Sequence, residues 1–285
     1  MRRFRELKPV DFKVLAALEA GMEKFEIVPL DFVSTFSGLP RDEAQHRLDR
    51  LEKFRLLLRS TGPYLGYRLN YFGLDFLALK TFTDKGIIEA LGDPLGVGKE
   101  ADVYEALTPK GETVAVKFHK LGRVSFRQTK RVRTYTTESI QWYNRSKIAA
   151  KREYEALKRL HPAGVAVTKP IAHSRHAIVT EKFEGFQLSE VKELPNPEET
   201  LDKIVENVRL AYQAGIIHAD LSQFNILVSP EGKILIIDWP QYVTVNHPNA
   251  ELLLRRDLEN ILTFFKRKFR VAIPLEEALR KVKGE

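Results

Sequence analysis

Three side chains in the last third of the chain could do chemistry together. In Ile216–Val228 (IIHADLSQFNILV) and, after a short turn, in ILIIDWP, the residues Asp220, Asn225 and Asp238 stand at the ends of otherwise apolar runs of β type. An Asp, an Asn five residues on and a second Asp at the end of the next strand form an order suited to phosphoryl transfer. The first carboxylate orients an attacking hydroxyl or water, and the other two side chains hold a divalent metal against phosphate oxygens. Asp220 takes the first role, and Asn225 and Asp238 take the metal. Asp and Asn also end strands and open turns on their own account, so the weight rests on all three occurring in this order.

Groups that address phosphates lie upstream. The segment Leu95-Gly96-Val97-Gly98-Lys99-Glu100-Ala101-Asp102-Val103-Tyr104 is followed by TVAVKFHK, which carries Lys117. Glycines in a turn between two strands let backbone N–H groups come close to phosphates, and the next strand carries a lysine toward the same oxygens. This is the order of the kinase glycine loop. A Walker A loop is excluded, because Asp93 stands where its first Gly is required and Glu100 where it needs Ser or Thr. The strand lysine needs a carboxylate to hold it. The segment Ser146–Leu160 has helical composition, with Ala149, Ala150, Tyr154, Leu157 and Leu160 as an inward stripe. Glu153 and Glu155 are the candidates on that helix, and Glu153, beside the stripe, is the choice.

These groups must be positioned by a chain of 285 residues, long enough for two domains and a substantial core. With no Cys, disulfides, thiolate metal sites and thiol catalysis are excluded. The lack of a long apolar run or a charged-then-apolar leader argues against membrane spans and secretion, so the expected location is the cytoplasm. The formal net charge of +8 is uneven. Residues 117–152 carry eleven Lys or Arg against the single acid Glu138, an excess able to focus positive potential on phosphate-bearing partners. Its middle, Gly122 to Tyr143, lacks a helical or alternating period and is expected to be a mobile basic loop.

Residues 1 to about 92 are expected to form a separate unit. Asp11 is expected to cap a helix whose inner stripe is Phe12, Leu15, Leu18 and Met22. A second helix follows Pro29, and a third follows Pro40 with Ala44, Leu48 and Leu51 on one face. Two β-type runs, Arg55–Ser60 and Tyr64–Tyr71, flank a Thr61-Gly62-Pro63 turn. A helix over Phe72–Leu91 then leads to the glycine loop. Three helices and a hairpin make the winged-helix pattern, whose third helix can enter a nucleic-acid groove. Arg41, Arg47 and Arg50, with Tyr64, Tyr67 and Arg68 of the wing, are the candidate contacts. From 93 to 285 strands are expected near 92–97, 101–107, 112–118, 176–181, 226–228 and 234–238. Helices are expected near 146–160, 188–192, 198–214, 250–268 and 275–283. The fold class is therefore α+β, a winged helix followed by a two-lobed protein-kinase-like domain.

The sequence as a whole resembles the RIO family of atypical serine/threonine kinases, in the subfamily with an amino-terminal winged helix, archaeal type. The resemblance rests on that unit together with GVGKEADVY, VAVKFHK, a basic loop before the Glu153 helix, IIHADLSQFNILV and IIDWPQ. It implies an ATP-dependent kinase or ATPase using Mg²⁺, with Mn²⁺ as an alternative, and a role in maturation of the small ribosomal subunit, with contacts to pre-ribosomal RNA. It also implies that Gly96, Gly98, Lys99, Glu100 and Lys117 address the triphosphate. Val103, Ala115 and Ile237 would form an apolar slot for adenine between lobes, with backbone groups of Glu181 and Phe183 as hinge contacts and Thr180 behind the base. Asp238 would be able to take phosphate transiently, and Asp257 would brace the catalytic loop.

The chain departs from ordinary protein kinases in reading Asp238-Trp239-Pro240 where they have Asp-Phe-Gly. It then passes to Arg255-Arg256-Asp257 without an activation segment or an Ala-Pro-Glu motif. A peptide-docking surface is thus missing. Ala101 stands where relatives often have Ser. The alternatives are a small-molecule kinase of the aminoglycoside or choline type, against which the winged helix and basic loop argue, and a nucleotide-regulated RNA-binding module without turnover.

Overall fold

The computed structural model describes residues 2–61, 64–122 and 135–285, with the backbone alone for 2–3 and 135–140. The chain forms two compact units, one of Met1–Ile148 with Ala172–Ile178, the other of Ala149–Ile171 with Val179–Glu285. The first unit thus contains both the amino-terminal helices and strands beyond residue 92.

Its order begins α1 (Arg2–Glu6), α2 (Pro9–Gly21), β1 (Val28–Pro29), α3 (Leu30–Ser37), α4 (Arg41–Lys53), β2 (Leu57–Ser60), β3 (Gly66–Leu69) and α5 (Tyr71–Asp84). The antiparallel sheet β1-β3-β2 packs with the helices as a winged helix. The expected stripes are the core: Phe12, Leu15 and Leu18 of α2, Met22 just after it, and Ala44, Leu48 and Leu51 of α4 are all buried. Burying such side chains contributes about 1.5–3 kcal/mol each. Asp11 is not the cap residue itself. It lies in the first turn of α2 and accepts the Lys8 N–H at 2.8 Å, satisfying a donor the helix leaves open.

The same carboxylate decides the fate of the arginines expected to face nucleic acid. Asp11 is fully buried, and Arg50 Nη1 and Arg47 Nη1 reach it at 3.0 and 3.5 Å. Arg50 also donates to Glu6 O at 2.7 Å, Arg47 pairs with Glu43 at 3.1 Å, and Arg41 pairs with Asp31. On the wing Tyr67 and Arg68 are buried, with Tyr67 Oη bonded to Gln45 Nε2 at 2.6 Å. Of the proposed contact set only Tyr64 stays exposed without an ion pair, and its hydroxyl donates to Ile27 O at 2.6 Å. One buried carboxylate thus gathers two α4 cations that helical spacing alone places outside.

Helix α5 stops at Asp84, short of the expected Leu91, because Gly86 turns the chain at φ 64°. Gly73, in its first turn, cannot be replaced without displacement, since a Cβ there would stand 2.3 Å from Leu56 O. Next come β4 (Ala90–Val97), β5 (Ala101–Leu107) and β6 (Thr113–His119), antiparallel in that order, then α6 (Tyr135–Leu160), β7 (Pro170–Ser174) and β8 (Ala177–Glu181). The five-stranded sheet has the order β4-β5-β6-β8-β7.

Helix α6 starts eleven residues before the expected Ser146, so its first part replaces the end of the expected loop; residues 123–134 of that loop lie outside the described residues. The reason is polar anchoring that has no period. Tyr143 is buried and donates to Glu19 at 2.7 Å, and Ser146 Oγ accepts the Leu121 N–H at 3.0 Å.

The second unit continues with β9 (Phe186–Gln187), α7 (Pro197–Gln213), β10 (Ile216–Ile217), β11 (Ile226–Val228), β12 (Ile234–Ile236), β13 (Val243–Thr244), α8 (Ala250–Phe269) and α9 (Leu275–Lys283). The expected helix at 188–192 does not form. Leu188 N and Ser189 N are drawn to Ile226 O and Gln223 O, extending the sheet β12-β11-β9. None of the helices among the described residues is long and apolar enough to cross a membrane.

Candidate active site

In the second unit Asp220 lies on the loop between β10 and β11, exposed, while the backbone on both sides of it is held. Asp257 of α8, itself buried, accepts Ala219 N at 2.7 Å and Leu221 N at 3.0 Å. Arg256 donates to Ala219 O, and Asn260 Nδ2 donates to Leu221 O at 3.1 Å. Asn225 Nδ2 donates to Asp220 O at 2.8 Å, which assigns Oδ1 as the acceptor end of that amide. Asp220 is thus carried on a rigid frame with its carboxylate toward solvent, the arrangement a nucleophile-orienting group needs.

The next links lead to Asp238. Ile237 N donates to Asn225 O at 2.9 Å, and His218 Nε2 bonds Ile237 O at 3.0 Å, so the imidazole N–H donates. Burial pushes the His218 pKa down, against the pull of that carbonyl, Asp238, Asp220 and Glu153. The ring stays neutral and acts as a fixed strut. Trp239, 1% exposed, donates from Nε1 to Ile236 O at 3.0 Å and packs on His218 at 4.5 Å. Ala219 and Asp238 both have left-handed backbone, φ 64° and 69°. Each costs about 1–2 kcal/mol for a residue with a Cβ, and the surrounding hydrogen bonds hold them there.

On α6, Glu153 is buried whereas Glu155 is exposed and pairs with Lys151. Between the two candidates, only Glu153 projects into the interior. Glu181 N donates to Lys169 O at 3.0 Å. Phe183 and Ile237 are half-buried, and Thr180 is buried.

The first unit carries the residues expected to address phosphate. Gly96 is paired with Val103, and Val103 with Lys117, in adjacent strands, while Ala115 lies two residues before Lys117. Val103, Ala115 and Lys117 therefore share the half-buried face of the sheet, and Val114, Val116 and Phe118 take the buried face. Gly98 N donates to Ala101 O at 2.8 Å, and Lys120 N donates to Glu100 O at 2.6 Å, closing the turn on which Lys99 and Glu100 are exposed. A Cβ at Gly98 would lie 3.2 Å from Ala101 O, whereas Gly96 stands in open space.

Comparison with known proteins agrees with this geometry. A family model described as "Rio2, N-terminal" matches residues 4–85, and one described as "RIO domain" matches residues 102–278. The chain belongs to the RIO kinase family, in its Rio2 branch. The RIO-type serine/threonine-protein kinase Rio2 of Methanocaldococcus jannaschii is 43% identical over 86% of this chain and 92% of its own. The serine/threonine-protein kinase rio2 of Dictyostelium discoideum is 36% identical over 94% of this chain, which spans only 52% of that protein's length. The crystal structure of the Rio2 kinase-ADP/Mg²⁺-phosphoaspartate complex from Chaetomium thermophilum superposes with a TM-score of 0.87 at 33% identity, covering 100% of this chain and 89% of that one.

Within this RIO domain the residues the sequence left without a role are His218, Arg256, Asn260 and Trp239. His218, Arg256 and Asn260 work through backbone partners far along the chain, a kind of contact that leaves no local pattern, and Trp239 through the nearby Ile236 O and the His218 ring. Asp257 was legible only by resemblance, and its protonation is open to test. Burial pushes its pKa from 3.8 up to about 6, against the two backbone N–H bonds. A raised carboxyl pKa favours the protonated folded form, so its stabilising contribution is full below about pH 4 and is lost as pH rises through about 6. The stability of the wild type minus that of Asp257→Asn is expected to fall by roughly 2–3 kcal/mol between pH 4 and pH 7 in urea titrations. A constant difference would assign the carboxylate an ordinary pKa.

Proposed function

We propose that the protein is an ATP-dependent phosphotransferase, a RIO-type serine/threonine kinase with ATPase activity, acting in the cytoplasm on small ribosomal subunit precursors. The observation that carries the reading is the continuous set of hydrogen bonds from Asp257 through the Asp220 loop and Asn225 to the Asp238 turn. It is supported by the relatives named serine/threonine-protein kinases and by the Chaetomium Rio2 kinase seen with ADP and Mg²⁺. The proposed organisation is a winged-helix domain over 1–92 and a RIO kinase domain over 93–285.

In this reading Lys117 and the turn carrying Gly96, Gly98, Lys99 and Glu100 bind the triphosphate. Val103, Ala115 and Ile237 are the apolar residues this reading assigns to adenine, and Glu181 and Phe183 those it assigns to the edge of the base. Glu153 is the carboxylate this reading assigns to the strand lysine. Asp220 orients the acceptor, a water or a hydroxyl, and takes its proton as the new P–O bond forms and ADP leaves.

The donor set suits Mg²⁺, or Mn²⁺ in its place. Asn225 and Asp238 offer hard oxygens, and no cluster of three or more His, Cys, Asp or Glu is gathered among the described residues. That sparse set fits a metal completed by substrate phosphates and water. The metal would neutralise charge developing on the phosphates. The phosphoaspartate in the Chaetomium complex supports a second route. In it an Asp238 oxygen attacks the γ-phosphorus, ADP leaves, and water then cleaves the acyl phosphate.

The RNA contact rests on the basic excess of residues 117–152, since the winged-helix arginines are engaged internally. A small-molecule kinase is disfavoured by the amino-terminal match. The deciding experiment is a single-turnover assay with γ-labelled ATP and Mg²⁺, with and without small-subunit precursors. Release of labelled phosphate, or label on the protein, is expected. Nucleotide binding with neither product would leave only a nucleotide-regulated binding module.

A further inference from the structure

Arg152 belongs to the basic excess expected to meet RNA, yet the structure uses it elsewhere. It sits on α6 next to the buried Glu153, and its Nε donates to Pro240 O at 2.8 Å while its Nη2 donates to Tyr242 O. Its guanidinium carbon lies 4.6 Å from the centre of the Tyr242 ring. The turn it grips is Asp238-Trp239-Pro240-Gln241-Tyr242, closed by Tyr242 N donating to Trp239 O at 3.2 Å. Upstream, the same segment is held by Asn225 O and His218 through Ile237. Asp238 therefore lies between two anchors, one from the catalytic loop and one from the helix that carries Glu153.

We propose that Arg152 is a positioning residue that couples the Glu153 helix to the metal-holding Asp238 turn, keeping that turn in its binding geometry where the chain has no activation segment. The inference rests on the metal role proposed for Asp238. Only arginine meets the geometry, because two carbonyls two residues apart and an aromatic face must be satisfied together by one planar group. A lysine offers a point charge and cannot stack in the same way.

Three variants test it: Arg152→Ala, Arg152→Lys, and Tyr242→Leu, which removes the stacking and keeps both carbonyls. In the nucleotide-free protein, hydrogen exchange over residues 237–242 is expected to quicken about tenfold in Arg152→Ala and Arg152→Lys, with the exchange of α7 and α8 unchanged. Mn²⁺ titrated in the presence of ADP is expected to bind about tenfold more weakly to those two variants, and adenosine is expected to bind as in the wild type. Tyr242→Leu should fall between them and the wild type. A role confined to stability would lower the melting temperature and leave Mn²⁺ affinity intact, which would overturn the inference. So would faster exchange throughout the unit without a local effect. If Arg152→Ala does not fold, Arg152→Lys and Tyr242→Leu decide by the same two readouts. Absence of Mn²⁺ binding by the wild type with ADP would instead defeat the metal role itself.

Discussion

Replacing Asp220 by Asn is expected to lower single-turnover hydrolysis of ATP by about 10²-fold or more while nucleotide affinity stays near that of the wild type. The amide keeps the size of the side chain and cannot accept the proton of the attacking group. Its frame should survive, because the hydrogen bonds that hold the loop go to the backbone of residues 219–221 and not to the Asp220 side chain. The loss should therefore appear in the rate of the chemical step and not in the dissociation constant. Hydrolysis at the wild-type rate would remove Asp220 from the mechanism and leave the acyl-phosphate route through Asp238 as the principal one.

The second large effect concerns binding. Asp238→Ala and Lys117→Ala are each expected to weaken Mg²⁺-ATP by about 10- to 100-fold, the worth of a charge-assisted contact, with adenosine affinity changed by less than about threefold. Both side chains are assigned to phosphate charge, and adenosine carries none. Calorimetry with the two ligands separates the assignment from general damage, since a collapsed site would lose both equally. For Asp238 there is a further consequence. The left-handed backbone at this residue suits Ala somewhat less than Asp, but the contacts of Trp239, His218 and Arg152 go to neighbouring residues and hold the turn as before, so the variant should fold.

The sequence alone determined the order of the chemistry and most of the elements that carry it. Asp220, Asn225, Asp238 and Lys117 stand out in the sequence as candidates because phosphoryl transfer needs these residue types at strand ends and on a strand after a glycine turn. Strands β5 and β11 and helix α9 lie at their expected bounds, since alternation and helical stripes report burial locally.

Tertiary structure decided what depends on partners distant in the chain. It buried Glu153 and left Glu155 exposed on one helix. It turned Arg47 and Arg50 inward onto Asp11, buried Tyr67 and Arg68, and extended α6 through Tyr143 and Ser146 to groups in α2 and after β6. It also placed Arg152 on the Asp238 turn, 88 residues away in sequence for the Pro240 contact. Periodicity records which face of an element is apolar. A single buried carboxylate or backbone carbonyl that recruits a cation from elsewhere has no period, and appears only when the chain is folded.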